Sequence, residues 1–289
     1  MMGQTDMFLG GSHRPAGRPI SKSDRDEPMN ILAIVGSNRK HGNTIRIVGL
    51  IEARMRALAA QHDMPLEFET LALGELDIQP CRGCRGCFDR GEERCPLRKD
   101  DIPFIRAKMD AADGLLLASP VYMDDVSGLV KTWIDRLSYI SHRPTFGGKC
   151  AYPIATVGGG STRHTLRTMN AALLTWGYHL VGQSGFKMGA LAAPDEMPRY
   201  EKEAARVAEA LFRAVLKQHA LRPSFVSLLA FKIQQLAWQR EPAGSLDHTY
   251  WLERGWLDPA CTFYLPHRSH PVKIALARLA GRIAFRFLV

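Results

Sequence analysis

From residue 30 to residue 220, short apolar runs alternate with longer segments in which apolar residues recur at helical spacing. In the segment 44–61, for example, one helix face is formed by Ile45, Val48, Ile51, Met55 and Leu58. The pattern predicts strands at 30–36, 66–73, 114–120, 150–158 and 178–186. It predicts helices at 44–61, 102–112, 126–140, 162–176 and 199–220.

Most of the predicted strands are nearly continuous apolar runs instead of alternating between apolar and polar residues. Such strands are buried on both faces, so we expect an α/β fold with a doubly wound, five-stranded parallel sheet and helices on each side. In such sheets, ligands bind at the carboxyl ends of the strands. The loops after the first, third and fourth strands are therefore the first candidates for a functional site.

The segments on either side of the predicted domain, residues 30–220, differ from it. Residues 1–29 are rich in Gly, Pro, Ser and charged side chains and have no secretory apolar core, so we predict a disordered leader. Residues 221–289 predict a mostly helical extension: a helix at 224–239, an irregular aromatic stretch at 246–266 and a basic helix at 271–289. The chain has no apolar run of transmembrane length.

The formal net charge of +9 at pH 7 favours anionic partners such as nucleotides, nucleic acids or anionic membranes. No recognisable nucleic-acid-binding module accompanies this charge, so we expect no nucleic-acid partner. The six cysteines do not have the spacing of a secreted disulfide framework. We therefore expect a cytoplasmic protein with reduced thiols.

The loop after the first strand has the sequence GSNRKHGNT, residues 36–44. A strand–loop–helix unit presents backbone N–H groups and the positive end of the helix dipole to an anion. Ser37, Asn43 and Thr44 add side-chain donors, and Arg39 adds a positive charge. The Walker lysine is missing, which suits a phosphomonoester that is bound and not transferred. The alternative is an ordinary helix start that is capped by Asn43 or Thr44.

Two further loops offer surfaces for a flat ligand. Pro120, Val121 and Tyr122 are expected to leave the third strand as a rigid apolar ledge, because proline fixes the backbone and donates no N–H. Three consecutive glycines, Gly158, Gly159 and Gly160, follow the fourth strand and let a backbone approach a ligand closely. Together the loops predict a site for a planar ring that carries a monophosphate.

The stretches GSNRKHGNT, SPVY, SGLVKTWIDR and the glycine triplet, in this order, resemble the NAD(P)H-dependent FMN reductase and iron–sulfur flavoprotein family. The resemblance covers about residues 30–190 and implies a flavodoxin-like fold. It implies an FMN site formed by Ser37, Arg39, Asn43, Thr44, Pro120, Val121, Tyr122, Met123, Gly158, Gly159 and Gly160. Met123 departs from the family pattern, as does Asn38, which stands where proline is frequent.

The resemblance implies an oxidoreductase in which NAD(P)H delivers hydride to bound FMN and the electrons pass to an acceptor. No catalytic side chain is expected. The alternative that it implies is an iron–sulfur flavoprotein that relays electrons between protein partners without oxidising NAD(P)H. A homodimer or a higher homo-oligomer is also expected, because flavin sites of this family commonly lie near subunit borders.

Four cysteines, Cys81, Cys84, Cys87 and Cys95, are spaced C-x2-C-x2-C-x7-C within the long loop 75–101. Compact thiolate spacing of this kind suits a 4Fe–4S cluster. Zinc and metal-free thiols are the alternatives. We expect nearby arginines to offset the negative charge of a cluster and to lower the pKa of the thiols: Arg82, Arg85, Arg90 and Arg94.

Other polar residues receive structural interpretations. Lys131 and Asp135 are four residues apart and are expected to pair across an exposed helix face or to lie at a subunit contact. In the basic helix, arginines lie beside a shared apolar face that consists of Val272, Leu276, Leu279 and Ile283. That face either packs on protein or lies on an anionic membrane. Packing on protein is favoured, because tails that contain YWLERGW resemble those of the same flavoprotein group.

Overall fold

The computed structural model describes residues 27–189 and 197–288. Residues 1–26 of the predicted leader lie outside these ranges. The strands are β1 (Met29–Val35), β2 (Leu66–Ala72), β3 (Gly114–Tyr122), β4 (Asp125–Val126), β5 (Cys150–Val157), β6 (His179–Leu180) and β7 (Ser184–Lys187). The helices are α1 (Asn43–Gln61), α2 (Gly86–Asp89), α3 (Ile102–Ala111), α4 (Gly128–Arg136), α5 (Arg163–Thr175), α6 (Met197–Leu216), α7 (Phe225–Arg240), α8 (Leu246–Glu253) and α9 (Pro271–Leu288).

The sheet has the order β2-β1-β3-β5-β6, with β7 also pairing with β5. These strands pair in parallel, and only the short β4 runs antiparallel, against β3, within the described residues. This is the strand order of the flavodoxin-like doubly wound fold. The predicted fold class is therefore confirmed.

Both faces of the central strands β1, β3 and β5 are buried, as their apolar runs predicted. At the edge of the sheet, β2 is only partly buried. On one face, Ile31, Ala33 and Val35 of β1 join a core formed with α1 and α6. On the other, Leu32 and Ile34 join a core formed with α3, α4 and α5. Side chains alternate across a strand, so the unbroken apolar run from Ile31 to Val35 of β1 fills both cores.

The predicted fifth strand is interrupted. β6 pairs with the first half of β5, β7 pairs with the second half, and residues 181–183 separate them. A Cβ at Gly182 would lie 2.8 Å from the ring of Tyr152 on β5. The tyrosine therefore occupies the space in which a regular strand with side chains would lie, and the edge strand bends around it.

Two further predictions near the third strand were wrong in their boundaries. β3 continues through Val121 and Tyr122, which pair with Val126 and Asp125 in a hairpin. The following helix begins only at Gly128, because the side chain of Ser127 caps it by accepting the N–H of Val130. That helix ends at Arg136 and is followed by a short 3-10 turn over Ser138–Ser141.

The segment 221–288 packs against the α/β domain. Gln234 on α7 donates to the carbonyl of Ser141 at 2.6 Å, and Trp251 on α8 donates to the carbonyl of His142 at 2.7 Å. Phe231, Trp251 and Tyr264 form a small core of their own. The prediction that residues 246–266 are irregular was wrong for Leu246–Glu253, where Ser245 caps α8. Among the helices within residues 27–189 and 197–288, none combines the length and the apolar character of a membrane-spanning segment.

Candidate functional site

The three loops singled out by the sequence meet at one edge of the sheet. β1, β3 and β5 are parallel neighbours, and their registers bring Val35 beside Ala118 and Pro120 beside Thr156. Direct hydrogen bonds join the loops: Thr44 Oγ1 lies 2.7 Å from Thr156 Oγ1 in a buried contact, and the N–H of Gly36 donates to Ala118 O at 2.8 Å. The carboxyl edge of the sheet is therefore one connected surface.

The first loop leaves the start of α1 open to an anion. The N-cap residue is Gly42, and no side chain caps the helix, so the alternative of a cap by Asn43 or Thr44 is wrong. Ser37 is buried and accepts the N–H of Arg39 at 3.1 Å, while the Asn43 side chain donates to Met188 O at 3.3 Å. The side chain of Arg39 is exposed. A cation thus lies beside an uncapped helix N-terminus.

The glycines at this edge have different roles. A Cβ at Gly36 would lie 2.1 Å from Val130 Cγ2, so the close approach of β1 to α4 requires glycine there. At Gly158 the nearest protein atom would be 4.0 Å from a Cβ, and at Gly159 and Gly160 no atom would lie within 4 Å. Packing does not require glycine at 158 or 159, whereas the positive φ of Gly160 (91°) favours glycine there. All three glycines are exposed, so their backbone is open to a ligand.

The β3–β4 hairpin lies between these loops and exposes the side chains at its tip. The prediction of a loop at Pro120, Val121 and Tyr122 was wrong, because these are the last three residues of β3. The side chain of Tyr122 is 46% exposed. The turn consists of Met123 and Asp124, both with positive φ (47° and 64°), although neither is glycine. Met123 is 99% exposed. Such strained turns are typical of functional sites, and here the turn holds an aromatic and a flexible thioether in solvent.

Two histidines lie near this edge. His41 is exposed, and Nδ1 of the half-exposed His164 is 3.9 Å from a carboxylate oxygen of Asp124. Neither has a buried position of the kind that would fix it as a proton donor.

The cysteine loop forms a second feature, beside α3 and α4. Its four cysteines all line one cavity of about 620 Å³: Cys81, Cys84, Cys87 and Cys95. Within residues 27–189 and 197–288, however, no three Cys, His, Asp or Glu side chains converge closely enough to hold a metal ion. The four cysteines share one cavity, but in this arrangement they do not form a metal-coordinating group.

The pKa of Cys87 is raised, so the prediction that nearby arginines lower the thiol pKa is wrong for this cysteine. Burial is the largest cause, and the neighbouring Cys81 and Cys95 add to it, whereas Arg143 opposes it. Two of the four loop arginines pair with acidic side chains instead: Arg85 lies 3.2 Å from Asp89, and Arg94 lies 3.8 Å from Glu93. Cys150, which is wholly buried in β5, has its pKa raised to about 12 by burial.

Arg136 on α4 connects the two ends of the cysteine loop, residues 75–101. Its guanidinium donates to Gln79 O at 2.8 Å near the start of the loop, to Leu97 O at 3.1 Å near its end, and to the carboxylate of Asp100. The side chains of Arg136 and Asp100 are each only 2% exposed. Local sequence patterns do not predict this pair, because Asp100 and Arg136 are 36 residues apart in the chain. By contrast, the predicted pair of Lys131 and Asp135 is confirmed on the exposed side of α4.

Arg143 connects the cysteine loop to the C-terminal segment. It donates to Cys87 O at 2.6 Å and to Glu92 Oε2 at 3.1 Å, and its other terminal nitrogen donates to Asp247 of α8. Asp247 also lies 2.7 Å from His142 Nδ1. Both Arg143 and Asp247 are buried. The backbone of Cys87 is thus held through a charged chain of contacts that begins in α8.

Replacing Asp247 with asparagine is expected to loosen the loop around Cys87. Without the carboxylate, Arg143 loses the charge that orients it, so its hydrogen bond to Cys87 O weakens. In reduced, chelator-treated protein, alkylation of Cys87 by iodoacetamide should become about tenfold faster, for a loss of about 1.4 kcal/mol of local stability. Peptide mass spectrometry measures the rate.

The matched control is Asp258→Asn, in an exposed turn of the same segment. This variant should leave the alkylation rate of Cys87 unchanged. An equal rate in wild-type and Asp247→Asn protein would contradict the positioning role of Asp247.

Comparison with known proteins places the chain in a family. The sequence profile described as NADPH-dependent FMN reductase matches residues 29–191. An iron–sulfur flavoprotein of Archaeoglobus fulgidus is 30% identical over 234 residues, which are 79% of this chain and 100% of that protein. An iron–sulfur flavoprotein of Methanosarcina thermophila is 31% identical over 172 residues, which are 58% of this chain and 85% of that protein.

Solved structures agree on the fold. A flavone reductase has a TM-score of 0.53 at 16% identity, covering 68% of this chain and 66% of the other. RosB with a bound flavin-derived intermediate has a TM-score of 0.53 at 16% identity, covering 74% and 88%. At these identities the structures support the fold alone. From the profile match and its relatives, the chain belongs to the NADPH-dependent FMN reductase family, together with iron–sulfur flavoproteins, and is a flavin oxidoreductase.

Proposed function

We propose that this protein binds FMN at the carboxyl edge of the sheet, accepts hydride from NAD(P)H and passes the electrons to an acceptor. We assign the phosphate of FMN to four residues of the first loop: Ser37, Arg39, Asn43 and Thr44. We assign the ring system to the hairpin and the glycine triplet: Pro120, Val121, Tyr122, Met123, Gly158, Gly159 and Gly160.

The observation that carries this proposal is the pairing of an uncapped helix start with free space beside the glycines. An anion at the start of α1 would receive the N–H groups that no side chain caps. A flat ring beside Gly159 would fill space that no atom of the described chain occupies within 4 Å of a Cβ. The residues present therefore fit a ring with a single phosphate.

FMN, when bound, supplies a site that accepts a hydride. The tasks left to the chain are binding, orientation and electrostatics. Arg39 and the helix start hold the phosphate, and the backbone amides of Gly159 and Gly160 offer donors to ring oxygens. The exposed ring of Tyr122 supplies an apolar wall against which planar groups can stack. None of these tasks needs an acid or base with a shifted pKa.

Anaerobic titration of the purified protein with NADH and, separately, with NADPH tests the donor. We expect one of them to bleach the flavin absorbance with one equivalent per FMN. If both leave the flavin oxidised while dithionite reduces it, NAD(P)H oxidation is excluded and the second candidate is favoured.

The second candidate is a relay of electrons between protein partners through FMN and a 4Fe–4S cluster. It is supported by the single cavity that all four loop cysteines line and by the named iron–sulfur relatives. Cys81, Cys84, Cys87 and Cys95 would hold the cluster, which would supply one-electron transfer. Four irons per chain in anaerobically purified protein would support it, and iron-free protein with full reductase activity would exclude it.

We expect Arg39→Ser to weaken binding of FMN but not of riboflavin. A charge-assisted hydrogen bond to phosphate contributes about 1.5–3 kcal/mol, so the affinity for FMN should fall by about tenfold to a hundredfold. Riboflavin lacks the phosphate and should bind both proteins equally. The control is Lys40→Ser, since Lys40 is exposed and pairs with Glu75 at 2.9 Å. Equal loss for both ligands would contradict the phosphate assignment.

We further propose that the protein forms a homodimer or a higher homo-oligomer. Light scattering of the FMN-bound protein measures it, and a monomer at micromolar concentration would remove it.

A further inference from the structure

Helix α9 packs on the protein through a different face from the apolar face that the sequence singled out. Ala277, Gly281 and Phe285 are buried in the structure. A Cβ at Gly281 would lie 3.0 Å from the side chain of Lys232 on α7, and the Arg240 guanidinium lies 4.5 Å from the centre of the Phe285 ring. The small residues at 277 and 281 thus let α9 approach α7 closely.

The apolar face predicted for this helix does not pack on its own domain, one of the two protein contacts expected for it, and is exposed in the single chain. We define the exposed stripe as Val272, Leu276, Leu279, Ile283 and Phe287. Each of these side chains is more than half exposed, from 51% for Ile283 to 86% for Phe287. They recur at intervals of three and four residues and so form one continuous side of the helix. The stripe has no partner within the described part of the chain.

The charges around the stripe have one sign. Residues 271–288 contain four Lys or Arg residues and no Asp or Glu. Lys273 donates to Pro223 O and Arg278 donates to Cys261 O, so these two cations serve the packing of α9. Arg282 and Arg286 are exposed and flank the stripe. An occupant with negative charge beside its apolar surface would complement this helix.

Lys232, beneath α9, shows how concentrated the positive charge is. Its pKa is lowered to about 8, first by burial and then by the nearby charges of Arg278 and Arg282.

A second copy of the chain fits the exposed stripe less well. Two copies of α9 meeting by their stripes would bring four arginines of the same sign together without an acidic partner on the helix. A helix of this length presents a face about 27 Å long and about 10 Å wide, which falls well short of the about 800 Å² per partner of a stable interface. An amphipathic helix can bind a bilayer surface without the interface area that a stable protein dimer needs. The membrane can contact the whole exposed side of α9 at once.

We propose that α9 lies flat on the surface of an anionic phospholipid bilayer, with the exposed stripe in the acyl boundary and Arg282 and Arg286 among the headgroups. An apolar face with flanking arginines has the composition of an interfacial helix. The proposal stands on α9 alone and does not depend on whether FMN or a cluster is bound.

Flotation of the full chain on sucrose gradients tests the proposal. The probes are vesicles of phosphatidylcholine alone and of phosphatidylcholine with about one third phosphatidylglycerol. We expect flotation with the anionic vesicles and at least about tenfold less with the neutral ones, since each arginine near an anionic surface contributes about fivefold. Arg282→Gln/Arg286→Gln should reduce flotation with anionic vesicles by about tenfold or more.

Two double variants, one on α9 and one on α8, distinguish a specific role of the stripe from a general effect of adding negative charge to the surface. Leu276→Glu/Leu279→Glu should reduce flotation by about a hundredfold or more, because charges replace two leucines that the proposal places in the acyl boundary. Leu246→Glu/Leu252→Glu changes two exposed leucines of α8 and should float like the wild type. Unchanged circular dichroism and melting temperature show that both variants are folded.

Three results would overturn the proposal. The first is that the full chain floats with neither vesicle type. The second is that Leu246→Glu/Leu252→Glu on α8 loses flotation as fully as Leu276→Glu/Leu279→Glu on α9. The third is that light scattering shows a dimer, that this dimer does not float, and that Leu276→Glu/Leu279→Glu converts it to a monomer. That result would assign the stripe to contact with a second copy of the chain.

Discussion

Replacing Gly159 with valine is expected to reduce the affinity for FMN by about a hundredfold, or about 2.7 kcal/mol, while leaving the apoprotein as stable as before. Gly159 does not have a left-handed backbone, and a Cβ there meets no protein atom within 4 Å. Valine can therefore be accommodated by the chain. Its side chain fills the space that we assign to the flavin ring. Quenching of FMN fluorescence on binding measures the affinity.

Gly49→Val is the matched control. Gly49 is exposed on α1, and a Cβ there also meets no atom within 4 Å. This variant should bind FMN like the wild type. If Gly159→Val keeps wild-type affinity with an unchanged melting temperature, the glycine triplet does not border the flavin.

Replacing Arg136 with methionine is expected to lower the free energy of unfolding by about 3–5 kcal/mol, since it leaves the buried carboxylate of Asp100 without its partner. The carbonyls of Gln79 and Leu97 also lose a donor. The control is Lys131→Met on the same helix, which removes an exposed ion pair with Asp135 and should cost less than about 1 kcal/mol. Urea denaturation measures both values.

The deficit of Arg136→Met should shrink as the pH falls. In the wild type, burial raises the pKa of Asp100, but hydrogen bonds from Arg136 and from the amides of Gln79 and Ile102 outweigh it, so the pKa is lowered. The stabilisation is therefore present above the unfolded pKa of about 3.9 and is lost as the pH falls through the lower folded pKa. In the variant, protonation relieves the unpaired charge. A deficit that stays constant from pH 7 to pH 3.5 would contradict this account.

The layout of the α/β domain could be predicted from the sequence because its signals are local. The central strands β1, β3 and β5 are nearly continuous apolar runs, and each long helix has its own apolar face. The positions of the three loops follow from this, since parallel strands end at the same edge. Contacts between distant residues leave no such signal. Neither the bend of the edge strand around Tyr152 nor the pairing of Arg136 with Asp100 can be inferred from neighbouring residues.

Two errors have a different origin. The β3–β4 hairpin was missed because its turn is Met123-Asp124, whereas two-residue hairpin turns usually contain glycine or asparagine. For α9 the periodicity identified the apolar face correctly but could not say what covers it. Helix packing there uses the smaller residues Ala277 and Gly281, which contribute little to a hydrophobic pattern.

Binding of FMN and of riboflavin to the flavin-free protein tests the central claim most directly, because the claim is a single pocket that holds both a ring and its phosphate. Calorimetric titration should give one FMN per chain, with an affinity for FMN at least about tenfold above that for riboflavin. Folded protein that takes up neither ligand at micromolar concentration, or that binds both equally, would contradict the account.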